Sequence, residues 1–159
     1  MALIVQKYGG TSVGSLDRIR NVAARLKRTR DEGNKVVAVV SAMSGVTDGL
    51  LKMAHELTPN PSERELDVLV STGEQQSIAL VAMALQDIGV PSASITGRQA
   101  GIFTTGSHTR GRILEMDPTL MNELLAEDKT LVVAGFQGVT PSGMIHTLGR
   151  GGFAGVNVR

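Results

Sequence analysis

The sequence predicts an α/β fold on a mostly parallel sheet, and three observations lead there. Leu3-Ile4-Val5, "KVVAVV" at 35–40 and "TLVVAGF" at 130–136 are short apolar runs without polar alternation, the pattern of strands buried on both faces. Segments with apolar residues at helical spacing lie between them, as crossover-connected parallel strands require. The chain also has nineteen glycines, well above the usual ~7%, and they cluster in loops after the apolar runs.

In chain order, residues 2–5 read as a buried strand. Leu16, Ile19, Val22, Ala23 and Leu26 then share a helical face, with Ser15 or Ser12 as N-cap and Gly33 as a stop. A second buried strand covers 35–40 and ends in the loop "SAMSG". Thr47 or Asp48 can cap a helix running to Leu57. Ser62 and Glu65 have capping-box spacing for a helix over 63–70. "STGE" reads as an interruption before an apolar helix over 75–87. "SASIT" and "GIFTT" suggest strands, "PTLMNELLAED" a helix with Pro118 in its first turn, and residues 130–136 a third buried strand. The last part reads as a hairpin around 141–143 that leads into a glycine-rich loop.

Composition narrows the function classes. The 159 residues are 42% hydrophobic and 19% charged with net charge +1, which fits one globular domain. There are no cysteines, so disulfides, thiolate metal sites and cysteine nucleophiles are excluded. Aromatics are only 3% of the chain, too few for base-stacking platforms. No apolar run approaches the ~20 residues of a membrane span, and no signal pattern opens the chain. The expectation is therefore a cytoplasmic protein without nucleic-acid or membrane partners. Arg18, Arg20, Arg25, Lys27, Arg28 and Arg30 make the first helix basic, but Asp17, Asp31 and Glu32 dilute the charge, as on a solvated face. His55, His108 and His146 have no ligand-like spacing, so no protein-held metal is expected.

Four stretches fall where strands end or helices begin, the usual place for ligands in such sheets: "KYGGTS", "SAMSGVTD", "STGE" and "GFQG…TLGRGG". Gly9 and Gly14 have the glycine spacing of a Walker A loop, but Ser15 stands where its lysine belongs. Lys7 instead precedes the glycines, where an ammonium can reach phosphates and loop N–H groups can face an anion. On these residues alone, a plain strand-turn-helix with a solvated Lys7 explains the stretch equally well. Gly149, Gly151 and Ala154 match G-x-G-x-x-A, but no βαβ unit follows them, so the dinucleotide reading fails.

Together, "KYGGTSVGS", "VVSAMSGVTD", "STGEQQS" and "GFQGVTPSGMIHTLGRGG" resemble the aspartate kinases of the amino-acid kinase superfamily, over almost the whole chain to Gly152. Glutamate 5-kinase, acetylglutamate kinase, carbamate kinase and uridylate kinase are the near alternatives. The resemblance implies a three-layer α/β/α sandwich and transfer of the ATP γ-phosphoryl group to the side-chain carboxylate of L-aspartate. It places Lys7, Tyr8, Gly9, Gly10 and Ser41 at the nucleotide and Thr47, Glu74, Arg150, Gly151 and Gly152 at the amino acid, with Lys7 and Arg150 as the catalytic pair. Mg²⁺ would come with ATP. Read without the family, Ser41 is equally a loop hydroxyl, Thr47 a helix cap and Glu74 a solvated carboxylate at a helix start.

The resemblance breaks at one point. The family pattern continues with a serine and an aspartate after the glycine pair, and this chain has Phe153 and Ala154 there. The expected organisation is the N-terminal portion of an amino-acid kinase domain over 1–152 and a divergent tail over 153–159, from a frameshifted or truncated product. The expected behaviour is little activity alone, with a homo-oligomer or self-association. The competing expectation is a non-catalytic remnant or binding module.

Overall fold

The computed structural model describes residues 1–149. Four parallel strands form the main sheet in the order β1 (Leu3–Tyr8), β2 (Lys35–Val40), β6 (Thr130–Ala134), β3 (Ser92–Ile95). Each strand sorts its side chains by alternation. Val36, Ala38 and Val40 of β2 and Val132 and Ala134 of β6 face α1 (Leu16–Asp31) and α3 (Glu63–Asp87). Val37 of β2 and Leu131 and Val133 of β6 face the other way, against Leu125 of α4 (Thr119–Ala126) and Ile102 of β4 (Ile102–Thr105). Strands buried on both faces need no polar alternation, which is why the three apolar runs read correctly. The architecture is the expected α/β/α layering on a parallel sheet.

Helix α1 begins where Ser15 caps it, its Oγ accepting from the Arg18 N–H at 3.2 Å. It buries Ile19, Val22, Ala23 and Leu26 but leaves Leu16, read on the same face, 55% exposed. Gly33 ends the helix region at φ +89°. Three of its basic residues are neutralised within the chain, in the pairs Arg20–Asp17, Lys27–Asp31 and Arg30–Asp128.

Three expectations are corrected. The helices over 63–70 and 75–87 are one 25-residue helix, α3, which runs through "STGE" without a break. A glycine costs a helix about 1 kcal/mol relative to alanine, but here Gly73 lets the helix pass close to the loop after β2. Ser62 caps α3 by backbone position only, and no capping-box hydrogen bond forms. Gly45, in the left-handed conformation at φ +82°, takes the N-cap of α2 (Val46–Leu57), so Thr47 and Asp48 lie in its first turn. The hairpin expected around 141–143 forms, between β7 (Gln137–Val139) and β8 (Ile145–Thr147), and it belongs to a second four-stranded sheet, β5-β4-β7-β8, whose β5 (Arg112–Met116) has no strand-like alternation in sequence.

As one element, α3 is long and apolar enough by length and composition to cross a membrane. Its buried face carries Asp67, Ser71, Glu74 and Ser77 and packs between the two sheets, the placement of a core helix.

The two sheets meet where Gly97 touches Gln137: a Cβ on Gly97 would lie 2.5 Å from the Gln137 carbonyl oxygen and 2.9 Å from its carbon. Backbone cannot yield as a side-chain tip does, so Gly97→Ala is expected to cost about 2 kcal/mol, within the usual range for overpacking, measured as a shift in urea midpoint. Among the described residues β1 is an edge strand, with Leu3 55% and Val5 61% exposed. Exposed apolar edges invite pairing. Sedimentation should therefore show a mass that rises with concentration, and Val5→Lys should suppress the rise.

Candidate active site

The parallel strands deliver their C-terminal ends to one place. In the β1–β2 register Lys7 lies opposite Val39 and Tyr8 opposite Val40. The Ser41 N–H then donates to the Tyr8 carbonyl at 3.0 Å, and the Gly135 N–H to the Val40 carbonyl at 2.9 Å. Lys7, Ser41 and Gly135 thus leave three adjacent strands side by side.

Alternation along β1 separates two residues read as neighbours in function. The Tyr8 ring is buried in the core under α1, and its hydroxyl donates to Gln6 Oε1 at 2.7 Å. Burial pushes its phenol pKa up, and the Arg25 charge pulls it down. Lys7 points from the opposite face of the strand and is exposed. Only the Tyr8 backbone is at the strand ends.

The glycine pair also divides. A Cβ on Gly9 would meet nothing within 4 Å, so Gly9 leaves open space beside the strand end. On Gly10 it would lie 2.8 Å from the Ala42 carbonyl oxygen. Gly10 is thus required by the neighbouring loop, whose Ser44 N–H donates to the Gly10 carbonyl at 3.1 Å. The Ser12 N–H is spent on the Gly9 carbonyl at 3.0 Å and the Gly14 N–H on Thr11 at 3.3 Å, leaving fewer loop amides for an anion than the sequence suggests. Positive charge is nonetheless at hand: a cleft of about 230 Å³ beside this loop is lined by Tyr8, Thr11, Ser12, Arg18, Asn21 and Arg25.

Glu74 is where the structure departs furthest from a solvated carboxylate. It sits mid-helix in α3 at 2% exposure, and its Oε2 is buried with no hydrogen-bond partner. Gly73 explains the placement: a Cβ there would lie 3.0 Å from the Ala42 Cβ and 3.3 Å from Val46 Cγ1. This close approach sets α3 against the loop after β2 and the first turn of α2, which holds Thr47. Desolvation pushes the Glu74 pKa up to about 7, against the downward pull of hydrogen bonding from its own backbone, the Ala42 backbone and the Gln137 side chain. Gln137 is itself anchored to α3, its Nε2 donating to the Ser71 carbonyl at 3.0 Å.

The described residues therefore bring Lys7, Ser41, Thr47 and Glu74 to one end of the sheet. Arg150, Gly151 and Gly152 lie outside the described residues. The strand that precedes them, β8, is held to α3 through Thr147, whose Oγ1 donates to Asp67 Oδ1 at 2.6 Å. Sequence reasoning missed Gln137 and Phe136. Phe136 follows Gly135 at φ +64°, a conformation bulky residues rarely adopt. Their only signal was membership of "GFQG". It also missed the group of buried Asp67 and His146 with half-buried His108, in which desolvation and the neighbouring His108 lower the His146 pKa while Asp67 raises it.

A carboxyl group whose folded pKa is raised makes the fold less stable as its unfolded counterpart ionises. Stability should fall as pH rises from 4.5 to about 7, the ordinary and shifted values for Glu74, and then level off. At ~1.4 kcal/mol per pKa unit the total is about 3 kcal/mol. Glu74→Gln should remove most of that slope and be the more stable protein at pH 8. Denaturant midpoints across the pH range check this.

Comparison with known proteins comes to the same fold. The amino acid kinase family model matches residues 2–153. The chain is 55% identical over 152 residues to an aspartate kinase of Pseudomonas putida, covering 96% of this chain and 37% of that protein. An aspartokinase of Geobacillus stearothermophilus is 53% identical over 152 residues, with the same two coverages. A solved aspartate kinase from Synechocystis superposes with a TM-score of 0.77 at 50% identity, over 94% of this chain and 24% of that one. E. coli aspartokinase III in complex with aspartate and ADP shares the fold, with a TM-score of 0.74 at 24% identity over 96% of this chain and 44% of that one. The chain spans little more than a third of the length of these curated relatives. With its parallel sheet, its strand-end lysine and its match along nearly all its length, the chain belongs to the amino acid kinase family.

Proposed function

We propose that this chain is the N-terminal portion, residues 1–152, of an aspartate kinase catalytic domain. The reaction is transfer of the ATP γ-phosphoryl group to the side-chain carboxylate of L-aspartate, the cytoplasmic entry step to lysine, threonine and methionine synthesis. Glu74 carries the reading: a buried carboxylate with an unpartnered oxygen, set beside the strand ends, has the charge and desolvation to receive an ammonium group.

The amino acid would place its ammonium on Glu74 and its α-carboxylate on Arg150, whose guanidinium can bind it bidentately. Thr47, Gly151 and Gly152 complete this end. At the other, Lys7 neutralises charge on the transferring phosphates, and Gly9, Gly10 and Ser41 line the nucleotide; Tyr8 contributes through its backbone. ATP enters with Mg²⁺, held largely by phosphates and water. The aspartate side chain is ionised at neutral pH, so one of its oxygens attacks the γ-phosphorus directly. The bond to the β–γ bridging oxygen breaks, and ADP leaves with the electron pair. Without a proton to remove, the work is alignment and charge neutralisation.

Phe153 and Ala154, at the positions of the family's serine and aspartate, favour a second reading in which the fold binds its ligands without turnover. Trapping of aspartyl phosphate by hydroxylamine separates the two, and very little product is expected from residues 1–159 alone. Binding tests the site itself. L-Aspartate should perturb the amide resonances of Ala42, Thr47 and Glu74, and Glu74→Ala should weaken its binding about 10- to 100-fold, the loss of one charged hydrogen bond. Lys7→Ala should weaken MgATP by a similar factor and leave aspartate unchanged. If Glu74→Ala binds aspartate as well as the parent chain, the reading fails.

A further inference from the structure

We propose that Asp67, His108 and His146 form a divalent-metal site that takes Zn²⁺ and clasps α3, the loop before β5 and strand β8 together. The three residues come from distant parts of the chain, and the fold brings one ligand atom of each within 4.8 Å of the others. Two imidazoles and a carboxylate suit Zn²⁺ and leave a fourth position for water. Mg²⁺ and Ca²⁺ prefer all-oxygen sets.

The surroundings are those of a supported ligand set. Asp67 is fully buried, and its carboxylate is aimed by the Thr109 N–H, at 3.1 and 3.0 Å from its two oxygens, and by the Thr147 hydroxyl at 2.6 Å. Such outer hydrogen bonds orient metal-binding carboxylates. His146 Nδ1 is bonded to Thr104 Oγ1 at 3.1 Å, which fixes the ring and leaves Nε2 for a cation. His108 Nδ1 donates to Asp67 Oδ2 at 2.8 Å, and the two imidazole rings meet edge to face with centroids 4.6 Å apart. The proton between His108 and Asp67 occupies the position a cation would take over.

Entry and adjustment are available. The His108 side chain is 25% exposed, while Asp67 and His146 are buried behind it. Tetrahedral Zn²⁺ sets its ligand atoms roughly 3.4 Å apart, so no pair, all lying within 4.8 Å, needs to close by more than about 1.4 Å, while His108 Nδ1 and Asp67 Oδ2, now 2.8 Å apart, must open slightly. The loop that carries His108 runs from Gly106, at φ +103°, to Gly111, and Thr109 within it has the left-handed φ of +64°.

The test needs neither aspartate nor ATP, so its outcome is separable from the kinase reading. The chain is titrated with Co²⁺, read by visible absorption, and with Zn²⁺, read by calorimetry in a non-chelating buffer. One equivalent of Co²⁺ should bind with the intense bands of a four-coordinate ion, Zn²⁺ should displace it, and either metal should raise Tm. His108→Ala, a loop change that leaves the core intact by circular dichroism, should weaken binding by more than the roughly 100-fold that an outer-shell loss costs. His146→Ala should do the same, and His55→Ala should bind like the parent chain. Absence of saturable binding, or binding that survives His108→Ala, overturns the proposal.

Discussion

The site depends on one close approach between backbone elements. Helix α3 passes the loop after β2 at Gly73, where any larger side chain would press on Ala42 and Val46. Because the helix is not pushed away, the next residue, Glu74, is carried into the interior beside the ends of β1 and β2. Two local costs are accepted there: a glycine in a helix interior and a carboxylate out of water. Burial of Val70, Ile78, Val81 and Leu85 along the same helix offsets both.

The two buried acids of α3 stand in different surroundings. Asp67 and Glu74 lie seven residues apart, two helical turns on nearly one face. Asp67 accepts from His108, Thr109 and Thr147 across its two oxygens. A buried polar group so satisfied specifies how the elements around it pack. Glu74, in the same helix, has an oxygen with no partner and a pKa pushed up to about 7. The difference between them is that protein donors meet both oxygens of Asp67, whereas one oxygen of Glu74 is left without a partner.

Much of the fold was legible because parallel strands buried on both faces are apolar without interruption, and β2 and β6 are the clearest cases. The limits of α1 were legible too, through Ser15 and Gly33. What failed had a common cause: tertiary contact overrode local preference. Gly73 looks like a helix stop until the Ala42 contact is known, and Thr47 like a cap until Gly45 is seen to take that position in the left-handed conformation. The second sheet was hidden because β5, "RILEM", borrows its pairing from β4 and does not announce itself by alternation. Of the site, residue types at strand ends were readable, but depth was not. No local pattern distinguishes an exposed Glu74 from a buried one, or places His108 beside His146.

The turn after β6 joins these features mechanically. Phe136 holds φ +64° between Gly135 and Gln137, a strain of about 1–3 kcal/mol that persists only where the surroundings enforce it. Here they do. Gly135 is bonded to Val40 at the end of β2, the Leu148 N–H donates to the Phe136 carbonyl at 2.9 Å, and Gln137 is tied to Ser71 in α3. One residue thus turns the chain out of the parallel sheet and into the second sheet and holds the segment after β8 through its own carbonyl, while its neighbours bind the strand end and the helix that carries Glu74. A shift of the second sheet relative to α3 would have to break these bonds or relax Phe136. The position of Gln137 near Glu74, and with it the balance that sets the carboxylate's affinity for protons, is therefore a property of how the two sheets are joined and not of α3 alone.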